Sequence, residues 1–98
     1  AERRFPMIID MPIKCWSTVH VVKAELIFDI APQHAAVSTW AVHRWHYDWR
    51  VTNVETGRNL SASGRGTKKS SIEAARELLA KTPIDVIAKK IEAAGDFS

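Results

Sequence analysis

Residues 63–94, SGRGTKKSSIEAARELLAKTPIDVIAKKIEAA, carry the signals that decide the fold. Ser70 and Glu73 have the spacing of a capping box, in which a hydroxyl and a carboxylate satisfy the first free amides of a helix. Thr82 and Pro83 form a second helix start, because proline is tolerated at the first helical position and breaks a helix elsewhere. The pattern predicts two helices, over residues 70–81 and 83–94, or one sharply kinked helix.

Both predicted helices have an apolar side. The apolar residues recur at the spacing of about 3.6 residues that places them on one helical face, so each helix is expected to bury that face. They are Ile72, Ala75, Leu78 and Leu79 in the first helix, and Ile84, Ile87, Ala88 and Ile91 in the second.

Before the helices, the apolar residues alternate with polar ones, as they do in half-buried strands. Residues 20–30 form one such segment, and residues 37–54 form a second that is long for one strand. We therefore expect a bulge or a bend near residues 46–48. A hairpin turn over residues 55–58, with Gly57 available for a positive φ, and a short strand over residues 59–63 follow.

These elements predict an α+β fold, with a three- or four-stranded antiparallel sheet followed by two C-terminal helices packed on one face. The 98 residues fit a single domain. Residues 1–16 contain Pro6 and Pro12 and show no clean periodicity. We interpret them as an extended N-terminal arm or a short edge strand, and residues 17–98 as the α+β domain.

The composition limits the environment and the class of partner. Cys15 is the only cysteine, so no intrachain disulfide can form, and a reducing, cytoplasmic location is expected. No apolar run is long enough to cross a bilayer, so we expect no membrane partner. The net charge is +3, and residues 57–69 contain Arg58, Arg65, Lys68 and Lys69 without any acid. This segment is either a candidate anion contact or a solvated basic loop.

Catalytic and metal chemistry are not indicated. His43 and His46 are three residues apart in a predicted strand, so they would point to opposite faces and could not easily share an ion. Cys15 has no neighbours that would lower its pKa, and no glycine-flanked serine has the context of a nucleophile. We expect no catalytic residue, no metal, no cofactor and no small-molecule substrate, and therefore a binding protein and not an enzyme.

Aromatic residues are concentrated in the second extended segment. Trp45, Tyr47 and Trp49 are in phase, and the simplest interpretation is that they form the core under the helices. Trp40 is out of phase with them and in phase with polar residues. It is the best candidate for an exposed aromatic that stacks on nucleobases or anchors a partner.

The two lysines before the predicted helix start are unfavourable for stability. A cation at a helix N-terminus opposes the macrodipole and costs about 0.3–1 kcal/mol at an exposed site. Lysines beside free backbone amides instead suit a phosphate oxygen. The two lysines thus lower the stability of the helix at a position where they would favour the binding of an anion.

The stretch GRGTKK at residues 64–69, followed by alanines at 74–75 and leucines at 78–79, resembles the end of a double-stranded RNA-binding domain. The resemblance covers about twenty residues. It implies that Lys68 and Lys69 touch phosphates across the major groove of an A-form duplex. That family opens with a helix, whereas residues 1–36 here are predicted to be extended. The resemblance is therefore applied to the loop and not to the whole fold.

Two functions follow as alternatives. In the first, Arg58, Arg65, Lys68 and Lys69 contact the phosphates of RNA or DNA, and Trp40 stacks on a base. In the second, the chain is a small accessory or inhibitory protein, of the kind that phages and mobile elements encode, and binds another protein or forms a homodimer. The long second strand and its aromatics would then supply the contact surface.

Overall fold

The computed structural model of the chain describes residues 7–15, 17–34 and 36–93. The strands are β1 (Ile8–Cys15), β2 (Thr18–Ile27), β3 (Trp40–Trp45) and β4 (Asp48–Asn53), and the helices are α1 (Lys68–Ala80) and α2 (Ile84–Ala93). The four strands form one antiparallel sheet in the order β1-β2-β3-β4. The predicted α+β arrangement, a sheet followed by two C-terminal helices, is confirmed.

The N-terminal segment is part of the sheet. β1 pairs with β2 along its whole length, from Ile8 opposite Glu25 to Cys15 opposite Thr18. Of the two predicted forms, the structure shows an edge strand for residues 8–15, so the domain begins before residue 17. Residues 1–6 and 16 lie outside the described residues. Pro12 is compatible with an edge strand, since it has no N–H to donate to a further strand.

The turn that follows β4 packs against β1. Gly57 has a φ of 72°, a conformation that glycine adopts without a steric cost, so the predicted positive φ is confirmed, although no strand among the described residues follows to complete a hairpin. The N–H of Lys14 donates to the Gly57 carbonyl at 2.8 Å. A Cβ at position 57 would lie 2.8 Å from the carbonyl oxygen of Pro12. The close approach covers part of the open edge of β1, which would otherwise be available to another strand.

Residues 37–54 contain a tight hairpin and not one long bent strand. Trp45 pairs with Asp48, which leaves only His46 and Tyr47 in the turn, with His46 at a φ of 56°. The predicted single strand was wrong, although the change of direction was expected at this place. Asparagine or glycine is the usual residue at such a position, so the sequence lacks a clear turn signal here.

The hairpin changes which aromatic residues share a face. Trp45 lies opposite Asp48, whereas Trp49 lies opposite Arg44, one residue further from the turn. Because neighbouring residues in a strand point to opposite faces, the two tryptophans lie on opposite sides of the sheet. The prediction that Trp45, Tyr47 and Trp49 form one aromatic face was therefore wrong.

The sheet separates two hydrophobic clusters. The helices cover the face that carries Val42 and Val51, and the opposite face has a smaller cluster formed mainly by β1 and β2. The buried residues of the first cluster are Ile30, Ala31, Trp40, Val42, Val51, Leu60, Ala75, Leu79 and Ile87. Those of the second are Met11, Ile13, Ala24 and Ala41.

Residues 59–63 were predicted to form a short strand, and this was wrong. Asn59 makes only an isolated bridge to Thr52, and Ser61–Ser63 is a 3-10 turn. The buried hydroxyl of Ser63 takes the place of a strand partner. It accepts from the N–H of Val51 at 2.9 Å and donates to the carbonyl of Leu60 at 2.6 Å.

The two helices lie on either side of Pro83, which confirms the prediction of two separate helices. α1 begins earlier than predicted, because Thr67 and not Ser70 is the N-cap. The Thr67 side chain accepts from the N–H of Ser70 at 3.1 Å. Lys68 and Lys69 therefore lie inside the first turn of α1. Within the described residues, neither helix is long and apolar enough to span a membrane.

Candidate nucleic-acid interface

Trp40 belongs to the hydrophobic core. Its side chain is 2% exposed, and its Nε1 donates to the Ser38 hydroxyl at 2.9 Å. Ser38 in turn donates to the carbonyl of His34 at 3.0 Å. The prediction that Trp40 is an exposed stacking residue was wrong, because the position of the hairpin turn places Trp40 on the face that the helices cover.

Lys68 already has an acidic partner. Its Nζ lies 2.7 Å from Oε1 of Glu25 on β2, and both side chains are only partly exposed. This ion pair joins the beginning of α1 to the sheet. Lys68 therefore has a structural role that the sequence did not reveal, because Glu25 is 43 residues away along the chain.

Arg65 and Lys69 present exposed side chains. Within the part of the chain that the structure describes, neither makes an ion pair. The Arg65 backbone is fixed against β4, since the N–H of Trp49 donates to its carbonyl at 2.6 Å and its own N–H donates to Trp49 at 3.1 Å. Arg65 is thus an exposed side chain on an anchored backbone.

A further cation, Arg44, lies beside this pair. Arg44 is opposite Trp49 in the β3–β4 ladder, and its guanidinium lies 5.8 Å from the centre of the Trp49 ring, within range of a cation–π contact. Arg65 is bridged to Trp49 from the other side. Residues opposite each other in antiparallel strands point to the same side of the sheet. Arg44, Trp49 and Arg65 therefore form one line across the sheet, called here the basic row.

Arg58 does not belong to this group. Its carbonyl accepts from the N–H of Asn53, whereas that of Arg65 accepts from Trp49. Asn53 and Trp49 are four residues apart on β4, which corresponds to about 13 Å. The structure thus places Arg65 at one end of β4 and Arg58 at the other, and Lys69 lies in the first turn of α1. Arg44 was not singled out from the sequence, because its position opposite Trp49 depends on the β3–β4 hairpin.

The first turn of α1 strengthens the positive potential beside the basic row. It contains Lys68 and Lys69 and no acid. The helix dipole adds the equivalent of about half a positive charge at the same end. A negatively charged group at this end of the helix would be attracted by both.

The histidines do not form a metal centre with the other described residues. His43 is buried, with its Nε2 2.7 Å from the Thr52 hydroxyl and its Nδ1 3.2 Å from the Arg44 carbonyl. Burial lowers the pKa of His43, and the nearby Arg50 charge acts in the same direction. His46 is in the hairpin turn and not, as predicted, in a strand. Among the described residues, no three His, Cys, Asp or Glu side chains are grouped to hold a metal ion.

The site as a whole presents two exposed arginines on either side of Trp49 and an exposed lysine in the first turn of α1. Guanidinium groups bind phosphate oxygens with two parallel hydrogen bonds, and a lysine binds them as a point charge. Comparison of the chain with protein-family models, curated proteins and solved structures finds no match. The function is therefore argued from the chemistry of the site.

Proposed function

We propose that this chain is a non-enzymatic nucleic-acid-binding module that contacts phosphates through Arg44, Arg65 and Lys69. One observation carries the proposal: these three exposed cations, none of them in an ion pair with a described residue, lie around the end of β4 and the first turn of α1. Phosphate contacts of this kind supply most of the affinity of non-specific nucleic-acid binding.

The spacing of the basic row supports the proposal. Arg44 and Arg65 lie on either side of Trp49, so their backbones are two strand spacings, about 10 Å, apart. This backbone separation is close to the Debye length of about 8–10 Å at moderate salt, so salt screens the two positive charges from each other only in part. An anionic backbone lying along the row would be attracted by both arginines, whereas in the unliganded domain Arg44 has its cation–π contact with Trp49.

The roles of the two lysines are expected to differ. Lys68 must give up Glu25 before it can bind a phosphate, whereas Lys69 has no acidic partner among the described residues to release. We therefore assign the phosphate contact to Lys69 and a structural role to Lys68. The resemblance to a double-stranded RNA-binding domain supports a phosphate contact at this loop, and its implied contact for Lys68 stays a prediction.

Fluorescence polarisation with labelled single-stranded RNA, duplex RNA and duplex DNA, each at several salt concentrations, tests the proposal. The Arg65→Ala/Lys69→Ala double variant should bind more weakly, and the slope of log K against log salt should fall by about 0.7–0.9 for each lost contact. The matched control is Lys14→Ala/Lys89→Ala, which removes the same net charge from exposed side chains elsewhere. Equal losses in both variants, or no binding at low salt, would contradict the proposal.

A second candidate function, a protein-interaction module, is favoured by one face of the β1–β2 hairpin. Ile8, Val19 and Val21 are 54%, 61% and 69% exposed. The register places them on the same side of the sheet as Val42, beyond the area that the helices cover. Exposed apolar groups that lie together often mark a protein contact. Either a homodimer or a complex with another protein would cover them.

Light scattering after size-exclusion chromatography tests the homodimer form. A dimer that dissociates in the Val19→Thr/Val21→Thr variant would support it, since threonine keeps the β-branched shape and reduces the apolar area. A wild-type monomer at high micromolar concentration would remove the homodimer from consideration, and a pull-down would then test for another protein.

Two further predictions accompany the proposed function. A cytoplasmic location follows from the single cysteine, since a small secreted domain would usually contain disulfides. The absence of enzymatic activity, cofactor and small-molecule substrate follows from the lack of a catalytic motif in the sequence. Both stay predictions.

A further inference from the structure

The tip of the β3–β4 hairpin exposes an aromatic side chain. Tyr47 is 90% exposed, more than any other large hydrophobic side chain of the described residues. It is one of only two residues in the turn, and the other, His46, has a φ of 56°. A non-glycine residue in this conformation is uncommon and often accompanies function. The turn therefore presents Tyr47 to solvent, where it contributes nothing to the core.

Tyr47 is close to the basic row. It lies two residues from Trp49, the central residue of the row, so their Cα atoms are separated by about 7 Å. The intervening Asp48 points to the opposite face, where its carboxylate lies 3.9 Å from Arg50. A nucleotide whose phosphate contacts Arg44 or Arg65 would have its base within reach of the Tyr47 ring.

The other aromatic rings of the hairpin are already in contact with protein groups. Trp49 is half-buried and packs against the helix-covered cluster, and its ring faces the guanidinium of Arg44. The rings of Trp45 and His46 pack edge to face, with centroids 4.6 Å apart. Tyr47 is the one described aromatic of this hairpin whose ring is exposed on nearly all sides.

We propose that Tyr47 stacks on an unpaired base, and that the ligand is consequently a single strand or a loop and not a continuous duplex. The inference rests on the proposed nucleic-acid function and specifies its ligand class. In a duplex both faces of each base are covered by neighbouring pairs, whereas an unpaired base offers a face to an aromatic side chain. Because every base has such a face, stacking of this kind gives little sequence preference.

The test uses a short single-stranded RNA that contains 2-aminopurine, and the same strand annealed to its complement. Removal of one base–aromatic stack weakens binding by about 5- to 150-fold. We expect Tyr47→Ala to weaken single-strand binding within this range, with an unchanged salt slope because no charge is lost. It should also remove the quenching of 2-aminopurine that the wild-type protein causes. Tyr47→Phe, which keeps the ring, should retain both, and duplex affinity should be the same in all three proteins.

The outcomes separate the inference from the proposed function. If Tyr47→Ala binds the single strand as tightly as the wild type while Arg65→Ala/Lys69→Ala binds weakly, the stacking inference is wrong and the phosphate contact stands. Equal weakening of single-strand and duplex binding by Tyr47→Ala would also overturn the inference. If the Arg65 and Lys69 variant binds both ligands normally, the proposed function itself fails. Circular dichroism should show native folding of Tyr47→Ala, since the residue is exposed.

Discussion

Because Lys68 is paired with Glu25, replacing Lys68 and replacing the adjacent Lys69 should change the free energy of unfolding by different amounts. Each lysine opposes the dipole of α1, so replacing either by methionine removes a repulsion of about 0.3–1 kcal/mol. Methionine keeps most of the aliphatic stem, so little packing is lost. For Lys69 this relief is the whole expected effect, and we expect Lys69→Met to stabilise the protein slightly.

Lys68→Met also breaks a hydrogen-bonded contact of 2.7 Å. The side chains are 41% and 27% exposed, so solvent screens the pair and its contribution is taken as about 1 kcal/mol, the upper end for exposed pairs. This loss cancels or exceeds the dipole relief. The free energy of unfolding of Lys68→Met should therefore lie about 1 kcal/mol below that of Lys69→Met, which corresponds to about 4–8 °C in Tm for a domain of this size.

Urea unfolding followed by tryptophan fluorescence measures both variants, and the Glu25→Gln background provides the control. In that background the two lysine variants should have equal stability, because the partner of Lys68 is gone. RNA binding by the same proteins gives an independent measure, with a larger loss for Lys69→Met. If Lys68→Met were as stable as Lys69→Met in the Glu25 protein, the structural role assigned to Lys68 would be refuted.

Three further predictions concern stability. Burial lowers the pKa of His43 below 6.5, so the unfolded chain binds more protons than the folded chain between the two pKa values. The free energy of unfolding should therefore be highest above pH 6.5 and fall as the pH drops below that value. Urea midpoints at about pH 7.5 and about pH 5.5 measure this change, which should be smaller in His43→Gln. Gly57→Ala should cost about 1–2 kcal/mol, because alanine at positive φ is strained and its Cβ would lie 2.8 Å from the Pro12 carbonyl; an unchanged thermal midpoint would contradict this. Ser63→Ala should lower the free energy of unfolding by about 1–3 kcal/mol, as chemical denaturation would measure, because the N–H of Val51 loses its buried partner. Ser61→Ala, at an exposed position, should leave it nearly unchanged.

The coarse arrangement, an antiparallel sheet followed by two helices, was predictable from the sequence because the strongest signals are local. The two helices follow from apolar spacing and from Pro83, and the glycine turn follows from Gly57, which adopts the expected positive φ. The N-cap of α1 was predicted at Ser70 and not at Thr67 because both are good N-cap residues. Nothing local decides between them. The choice of Thr67 places Lys68 next to Glu25, a contact that depends on the packing of the helix on the sheet.

The hairpin turn was not predictable in the same way, and the residues that form the turn explain the error. A turn made by His46 and Tyr47 lacks the asparagine or glycine that usually identifies it, so residues 37–54 were interpreted as one strand. In a single strand Trp45 and Trp49 would share a face, whereas the turn places them on opposite sides of the sheet. The candidate site was affected in the same way, since Arg44 could not be placed beside Trp49 without the hairpin.

The same error determines which aromatic residue is available to a ligand. As a member of a strand, Tyr47 would be half-covered by its neighbours, and Trp40 would be the residue out of phase with the core. In the hairpin, Trp40 faces the helices and is 2% exposed, while Tyr47 occupies the tip and is 90% exposed. A two-residue turn does not require an aromatic side chain, so the turn itself does not explain Tyr47. The other residue of the turn, His46, has a positive φ. Together with Arg44 on β3 and Arg65 in the segment bridged to β4, the exposed ring gives this end of the sheet the two groups, cation and aromatic, with which proteins bind single-stranded nucleic acids.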